Sequence, residues 1–205
     1  MEIYLICNNL FENNLSYIDK QDIEKKKMTR PLSVDGEELA KRISLYEEFA
    51  GVNLIYSSMF SSSLATAKYL AERVNKNIVV DENLNDCKVG ELGNKNLKMV
   101  KFMQNHDFNI KLNNGESLEE VGNRIDRVIT KISRLTSNHK VAVFTHKRTM
   151  LGYLIKHATP GYNLDDDLVV EYNDEVVYNE TEKDVDVIKI TFENYKIVDI
   201  KVIEI

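Results

Sequence analysis

Four short apolar runs, Ile3 to Ile6, Val52 to Tyr56, Ile78 to Val80 and Val141 to Phe144, recur along the chain and read as buried strands. Segments with helical spacing follow three of them. Leu39, Ala40, Ile43, Tyr46 and Ala50 share a face of a helix expected from Pro31-Leu32-Ser33-Val34-Asp35-Gly36 through about residue 50. Leu64, Ala67, Leu70 and Ala71 do so between Ser62 and Val74. The strongest stripe is Leu118, Val121, Ile125, Val128, Ile132 and Leu135, opened by Ser117-Leu118-Glu119-Glu120, a capping box in which Ser117 and Glu120 satisfy free N–H groups. A further helix is expected after Thr145-His146, through about His157. Alternating strands and helices bury their apolar faces best as a three-layer α/β/α sandwich around a mostly parallel sheet. The tail changes pattern. Val185 to Phe192 and Tyr195 to Ile205, separated by Glu193-Asn194, predict a C-terminal β-hairpin at a sheet edge.

Two regions carry little pattern. Residues 8 to 30 are polar and too long for a simple connection, which predicts a functional or mobile loop. Residues 83 to 114 are rich in asparagine and predict an excursion over one end of the sheet. The 205 residues fit one domain, residues 1–205, without repeat or linker. No apolar run approaches the ~20 residues of a membrane span, and Met-Glu-Ile-Tyr-Leu lacks the pattern of a secretory signal, so a cytoplasmic location is expected. A net charge of −6 argues against a general nucleic-acid binder, although Lys25-Lys26-Lys27 and Arg30 form a local basic cluster suited to an anion near the first loop. Cys7 and Cys87 make no CxxC unit and are expected to be free, buried thiols. His106, His139, His146 and His157 lack metal-ligand spacing, and Asp165-Asp166-Asp167 reads as an exposed acidic loop; neither a metal nor another cofactor is expected.

Several segments, in order, resemble the histidine phosphatases, the phosphoglycerate mutase-like superfamily. Pro31-Leu32-Ser33 with Gly36 is similar to its Pro-Leu-Thr-x-x-Gly segment, and Ile55-Tyr56-Ser57-Ser58 with Ala65-Thr66-Ala67 to its Tyr-Ser-Ser…Gln-Thr-Ala segment. Gly115-Glu116-Ser117 with Arg124 resembles its Gly-Glu-Ser segment, and Val143-Phe144-Thr145-His146 the strand carrying its second histidine. The resemblance covers about residues 1 to 158.

The family site, as the resemblance implies, has two histidines, two arginines and a carboxylic acid. Here the expected Arg-His-Gly is Cys7-Asn8-Asn9, and the second arginine position is Ser62. His146 remains, followed by Lys147 and Arg148, and Asp86 is a shortened candidate for the acid. An amide nitrogen delocalises its lone pair into the carbonyl, so Asn8 is no phosphoryl acceptor. Neither Cys7 nor Ser62 reproduces the paired charged donors of arginine. The resemblance with these losses implies a non-catalytic relative, binding a phosphate-containing small molecule or a protein partner through Asn8, Asn9, Ser62, His146, Lys147 and Arg148. The alternative is a phosphoester hydrolase with an altered site, in which His146 is base or nucleophile, Asp86 the acid, and Lys147 or Arg148 the phosphate ligand. A thiolate at Cys7 is another nucleophile, and a scaffold with an empty crevice is a third reading.

Overall fold

The first strand, β1 (Glu2–Asn8), lies inside a six-stranded sheet. In the computed structural model, which describes residues 1–12, 23–135, 139–180 and 184–205, β1 pairs in parallel with β4 (Lys140–Phe144) and antiparallel with β8 (Val185–Glu193). With β2 (Val52–Ser57), β3 (Ile78–Val80) and β9 (Lys196–Val202), the strand order is β3-β2-β4-β1-β8-β9. The first four strands in that order are parallel, and the β8–β9 hairpin supplies the antiparallel edge. Asn194 and Tyr195 turn that hairpin with φ of 48° and 65°, the left-handed pair that matches strand twist.

Side chains alternate across the sheet and build two cores. Ile3, Leu5, Val141 and Val143 face α5 (Leu118–Leu135) and α6 (Lys147–His157), packing with Ile125, Ile129, Leu151 and Leu154. Tyr4, Ile6, Ala142 and Phe144 face α2 (Val34–Leu45) and α3 (Ser61–Val74), packing with Leu39, Ile43 and Leu70. The capping box is present: the Ser117 N–H donates to Glu120 and the Glu120 N–H to Ser117 Oγ, each at 3.1 Å. Helices α5 and α6 approach closely at two glycines, where a Cβ on Gly122 would lie 2.3 Å from the Gly152 carbonyl oxygen.

The structure departs from expectation in four places. The helix α2 ends at Leu45 because Tyr46 is extended (ψ 131°), and a 3-10 turn at Glu47–Phe49 swings Phe49 edge-on to Tyr4, centroids 5.4 Å apart. Within residues 8–30, α1 (Ile23–Thr29) forms; residues 13–22 of the expected loop lie outside the described residues. Within residues 83–114, α4 (Leu97–His106) forms, its first turn capped by Asn96, whose side chain accepts from the Met99 N–H at 2.8 Å. A separate antiparallel sheet, β5 (Thr159–Tyr162), β6 (Leu168–Tyr172) and β7 (Glu175–Asn179), follows α6. The acidic triplet at 165–167 is the exposed connection between its first two strands. Among the described residues, no helix is long and apolar enough to cross a membrane.

Candidate functional site

Because β1, β2 and β4 are parallel, their C-terminal ends meet at one rim, where open α/β sheets bind ligands. Backbone bonds fasten the loops there: Thr145 N to Ile6 O at 2.9 Å, and Ser58 N to Phe144 O at 3.0 Å. The loop carrying Asp86 is tied in by Thr145 Oγ1, which donates to Leu84 O, and by Thr149 Oγ1, which donates to Asn85 O, both at 2.8 Å. Arg124 completes this support, gripping Glu116 with Nε and Nη2 at 2.8 and 3.0 Å and donating to Asn83 O at 2.7 Å. The Gly-Glu-Ser segment thus braces the site from behind.

His146 stands at the rim as the residue before α6. Its Nε2 lies 2.9 Å from Ser58 Oγ and 3.4 Å from Ser63 Oγ, and its ring packs against Phe60 at 4.6 Å between centroids. Ser58 Oγ accepts from the Phe60 N–H at 3.3 Å, so its own proton is free to donate to Nε2. This assignment places the imidazole proton on Nδ1, which has no hydrogen-bond partner among the described residues and can donate to an anion. Burial lowers the His146 pKa to about 4, helped by Lys27, Arg124 and Arg30 and opposed by Asp86.

That shift has a sign. The unfolded imidazole takes its proton near ~6.5, whereas the folded one does so only near 4, so this share of stability is full above the unfolded value and is lost as pH falls between the two. An NMR titration should give His146 a midpoint near 4, while His106, beside the Phe102 carbonyl and Asp166, titrates above the ordinary value. A His146 midpoint of ordinary value would contradict the partly buried, neutral imidazole.

The other candidates divide. Asn8, 9% exposed, donates from Nδ2 to Gly36 O at 2.9 Å and accepts from the Leu10 N–H at 3.1 Å, so its side chain holds the first loop. Asn9 donates to Asp186 at 2.9 Å and accepts from Cys7 Sγ at 3.0 Å. Ser62 occupies the first turn of α3, but it is the next residue, Ser63, that reaches His146. Lys147 turns toward β8, 3.9 Å from Asp186 and 5.5 Å from the Tyr178 ring centroid.

Arg148 is a correction. It is 8% exposed and points to α4, donating to Gln104 Oε1 at 3.0 Å and to Asn105 Oδ1, which makes it a tie between α6 and α4 rather than a phosphate ligand. Asp86 is present at the site but unsuited to giving up a proton. Burial alone would raise its pKa; Lys27, with Nζ 2.8 Å from Oδ2, and the Cys87 N–H at 2.9 Å outweigh that and hold it below the carboxylate range. Cys7 is unsuited to be a nucleophile, because burial, with Asp186 and Asp86 nearby, raises its thiol pKa far above neutrality.

Sequence reasoning missed Ser58 and Ser63 as partners of His146, although the Ser-Ser step was visible. Lys27 was legible only as part of a basic cluster; it reaches both Asp86 and Cys87 O at 2.8 Å.

No curated protein sequence matches the chain significantly. Solved structures do. A mycobacterial glucosyl-3-phosphoglycerate phosphatase with inorganic phosphate superposes with a TM-score of 0.67 at 12% identity, over 99% of this chain and 95% of that one. The alpha-ribazole phosphatase of Shigella flexneri gives 0.64 at 14% identity, over 96% and 93%. A phosphoserine phosphatase variant from Entamoeba histolytica with phosphoserine gives 0.64 at 15% identity, over 98% and 96%. At such identities these likenesses establish the fold, which is phosphoglycerate mutase-like. The family model for the histidine phosphatase superfamily (branch 1) matches residues 20–175, beginning after Cys7-Asn8-Asn9. With most of its length matched, the chain belongs to the histidine phosphatase superfamily.

Proposed function

We propose that this protein is a phosphomonoester hydrolase of altered mechanism, holding the phosphoryl group at His146 and using water rather than a protein histidine as the attacking group. The observation that carries the reading is the neutral imidazole of His146, fixed by Ser58 at the rim where parallel strands end, with Lys27 and Arg30 as electrostatic neighbours. Phosphoryl transfer passes through a loose transition state and is accelerated mainly by positioning and by charge on the transferring oxygens. A crevice that keeps those features keeps part of the catalysis without a covalent step. Membership of the superfamily and the phosphatase names of the structural relatives support this reading.

A second reading, a non-catalytic phosphoester binder, is favoured by one observation. Asn8, where the resemblance expects the nucleophile, spends its side chain on Gly36 and Leu10. Turnover of p-nitrophenyl phosphate and a panel of sugar phosphates, phosphoserine and phosphohistidine peptides separates the two. The hydrolase reading expects slow turnover, below the ~1 s⁻¹ floor of typical enzymes, reduced about 10²-fold by His146→Ala. Phosphate binding without turnover would establish the binder. Neither binding nor turnover would overturn both and leave the scaffold reading.

A further inference from the structure

Arg30 is the anomaly among the described residues. Its guanidinium carbon lies 3.1 Å above the Phe11 ring centroid, and its Nε is shut off from solvent with no hydrogen-bond acceptor. Arg73, Arg124 and Arg148 all donate to carbonyl, carboxylate or amide oxygens. Buried donors left unsatisfied are rare and costly, more so when charged. Burial lowers the Arg30 pKa only to about 10, so the group remains a cation; the Asp86 carboxylate opposes that shift, and Arg30 in turn helps to hold down the pKa of His146. Both belong to the crevice, and Cys7 stands where the resemblance expects an arginine.

We infer that Arg30 is the phosphate-binding arginine of this chain, delivered from the end of α1 to a site that Cys7 and Ser62 no longer serve. The inference rests on the phosphomonoester reading and adds the residue that grips the phosphoryl oxygens. Phe11 fixes one face of the guanidinium, leaving its planar edge to meet two oxygens of a tetrahedral anion. Lys27 has a different task. Two of its three N–H groups go to Asp86 and Cys87 O, so its charge offsets a carboxylate that would otherwise repel phosphate. His146 Nδ1–H supplies a neutral donor. The resulting set is one guanidinium, one screened carboxylate and one imidazole, where the resemblance implies two arginines and two histidines.

The test is calorimetric titration of the full chain with inorganic phosphate, using wild type, Arg30→Gln, Arg30→Lys and His146→Ala. Loss of a charged, paired donor should weaken phosphate binding about 10- to 100-fold in Arg30→Gln. Arg30→Lys should fall between it and wild type, because it keeps the charge and loses the fork. The unfolding temperature of Arg30→Gln should stay close to wild type, since among the described residues the side chain makes no hydrogen bond and gives up only its stack on Phe11. Wild-type affinity in Arg30→Gln alongside lost binding in His146→Ala would overturn the role of Arg30 while leaving the crevice reading intact. A weakening matched by a large fall in unfolding temperature would mark Arg30 as structural and also overturn it. Absence of phosphate binding in wild type would overturn the crevice reading itself, and Arg30 with it.

Discussion

Replacing Gly36 by alanine should destabilise the protein by about 2–4 kcal/mol and weaken phosphate binding with it. A Cβ at this position would lie 1.9 Å from the Leu10 carbonyl oxygen and 3.2 Å from Leu32 Cβ. The Leu10 backbone has no easy direction of retreat. Its carbonyl accepts from the Ser33 N–H at 3.2 Å, and its own N–H donates to Asn8. Asn8 in turn donates to the Gly36 carbonyl, closing a ring of bonds around the added methyl. Relief requires moving either the first loop or the start of α2, where Ser33 caps the helix by accepting from the Gly36 N–H at 3.1 Å. Denaturant unfolding should show a lower midpoint with an unchanged slope. An unchanged midpoint would mean that the loop yields freely, contrary to the bonding around it.

The second large effect should have opposite signs for stability and for binding. Asp86→Asn removes the carboxylate opposite Lys27, leaving an ammonium with side-chain exposure of only 16% without its counter-charge. Breaking a buried pair costs about 3–5 kcal/mol, and the residual exposure here brings the expectation to about 2–4 kcal/mol. The same change deletes a negative charge beside the proposed phosphate position and frees Lys27 to contact the anion. Phosphate should therefore bind more tightly to the less stable protein. The pH dependence follows. Asp86 has its folded pKa below the ~3.9 of an unfolded aspartate, so its contribution is complete above that value and disappears as pH falls through the lower folded one. Asp86→Asn should lose this acid-dependent component. Weaker phosphate binding in Asp86→Asn, with the fold intact at the assay temperature, would count against Lys27 as a screen for Asp86.

Residues that recur with a clear period told most about this fold. Ile3 to Ile6 and Val141 to Phe144 form adjacent parallel strands, and Leu118, Val121, Ile125, Val128 and Ile132 are all buried. The sheet at 159–179 was illegible for physical reasons. Pro160 and Gly161 sit within β5, and Asn173-Asp174 turns β6 into β7 with both residues at positive φ. The helix α4 was hidden by the asparagine that caps it. At the site, His146 was legible from its strand and Asp86 from its place in the resemblance. Arg148 was misplaced because helix phase decides direction: two residues past His146, it turns into the α6–α4 contact. Arg30 was visible as charge, but only tertiary structure stacks it on Phe11 within electrostatic reach of Asp86.

The histidine and the cations have different anchorage. His146 follows β4, held between two neighbours of the central sheet. Lys27 lies on α1 and Arg30 directly after it; the helix is seated by Ile23 in a small satellite cluster with Leu92 and Val100, by Glu24 accepting from the Val89 N–H, and by Lys27 on Asp86 and Cys87 O. An anion that engages His146 and Arg30, as proposed, would therefore cross-link the central sheet to a separately anchored segment. In that reading occupancy and the seating of α1 would be one linked equilibrium, in which ligand concentration sets how firmly that helix is docked. On the proposed reading the crevice would be completed by its ligand, and a change in the mooring of α1 would change affinity without touching His146.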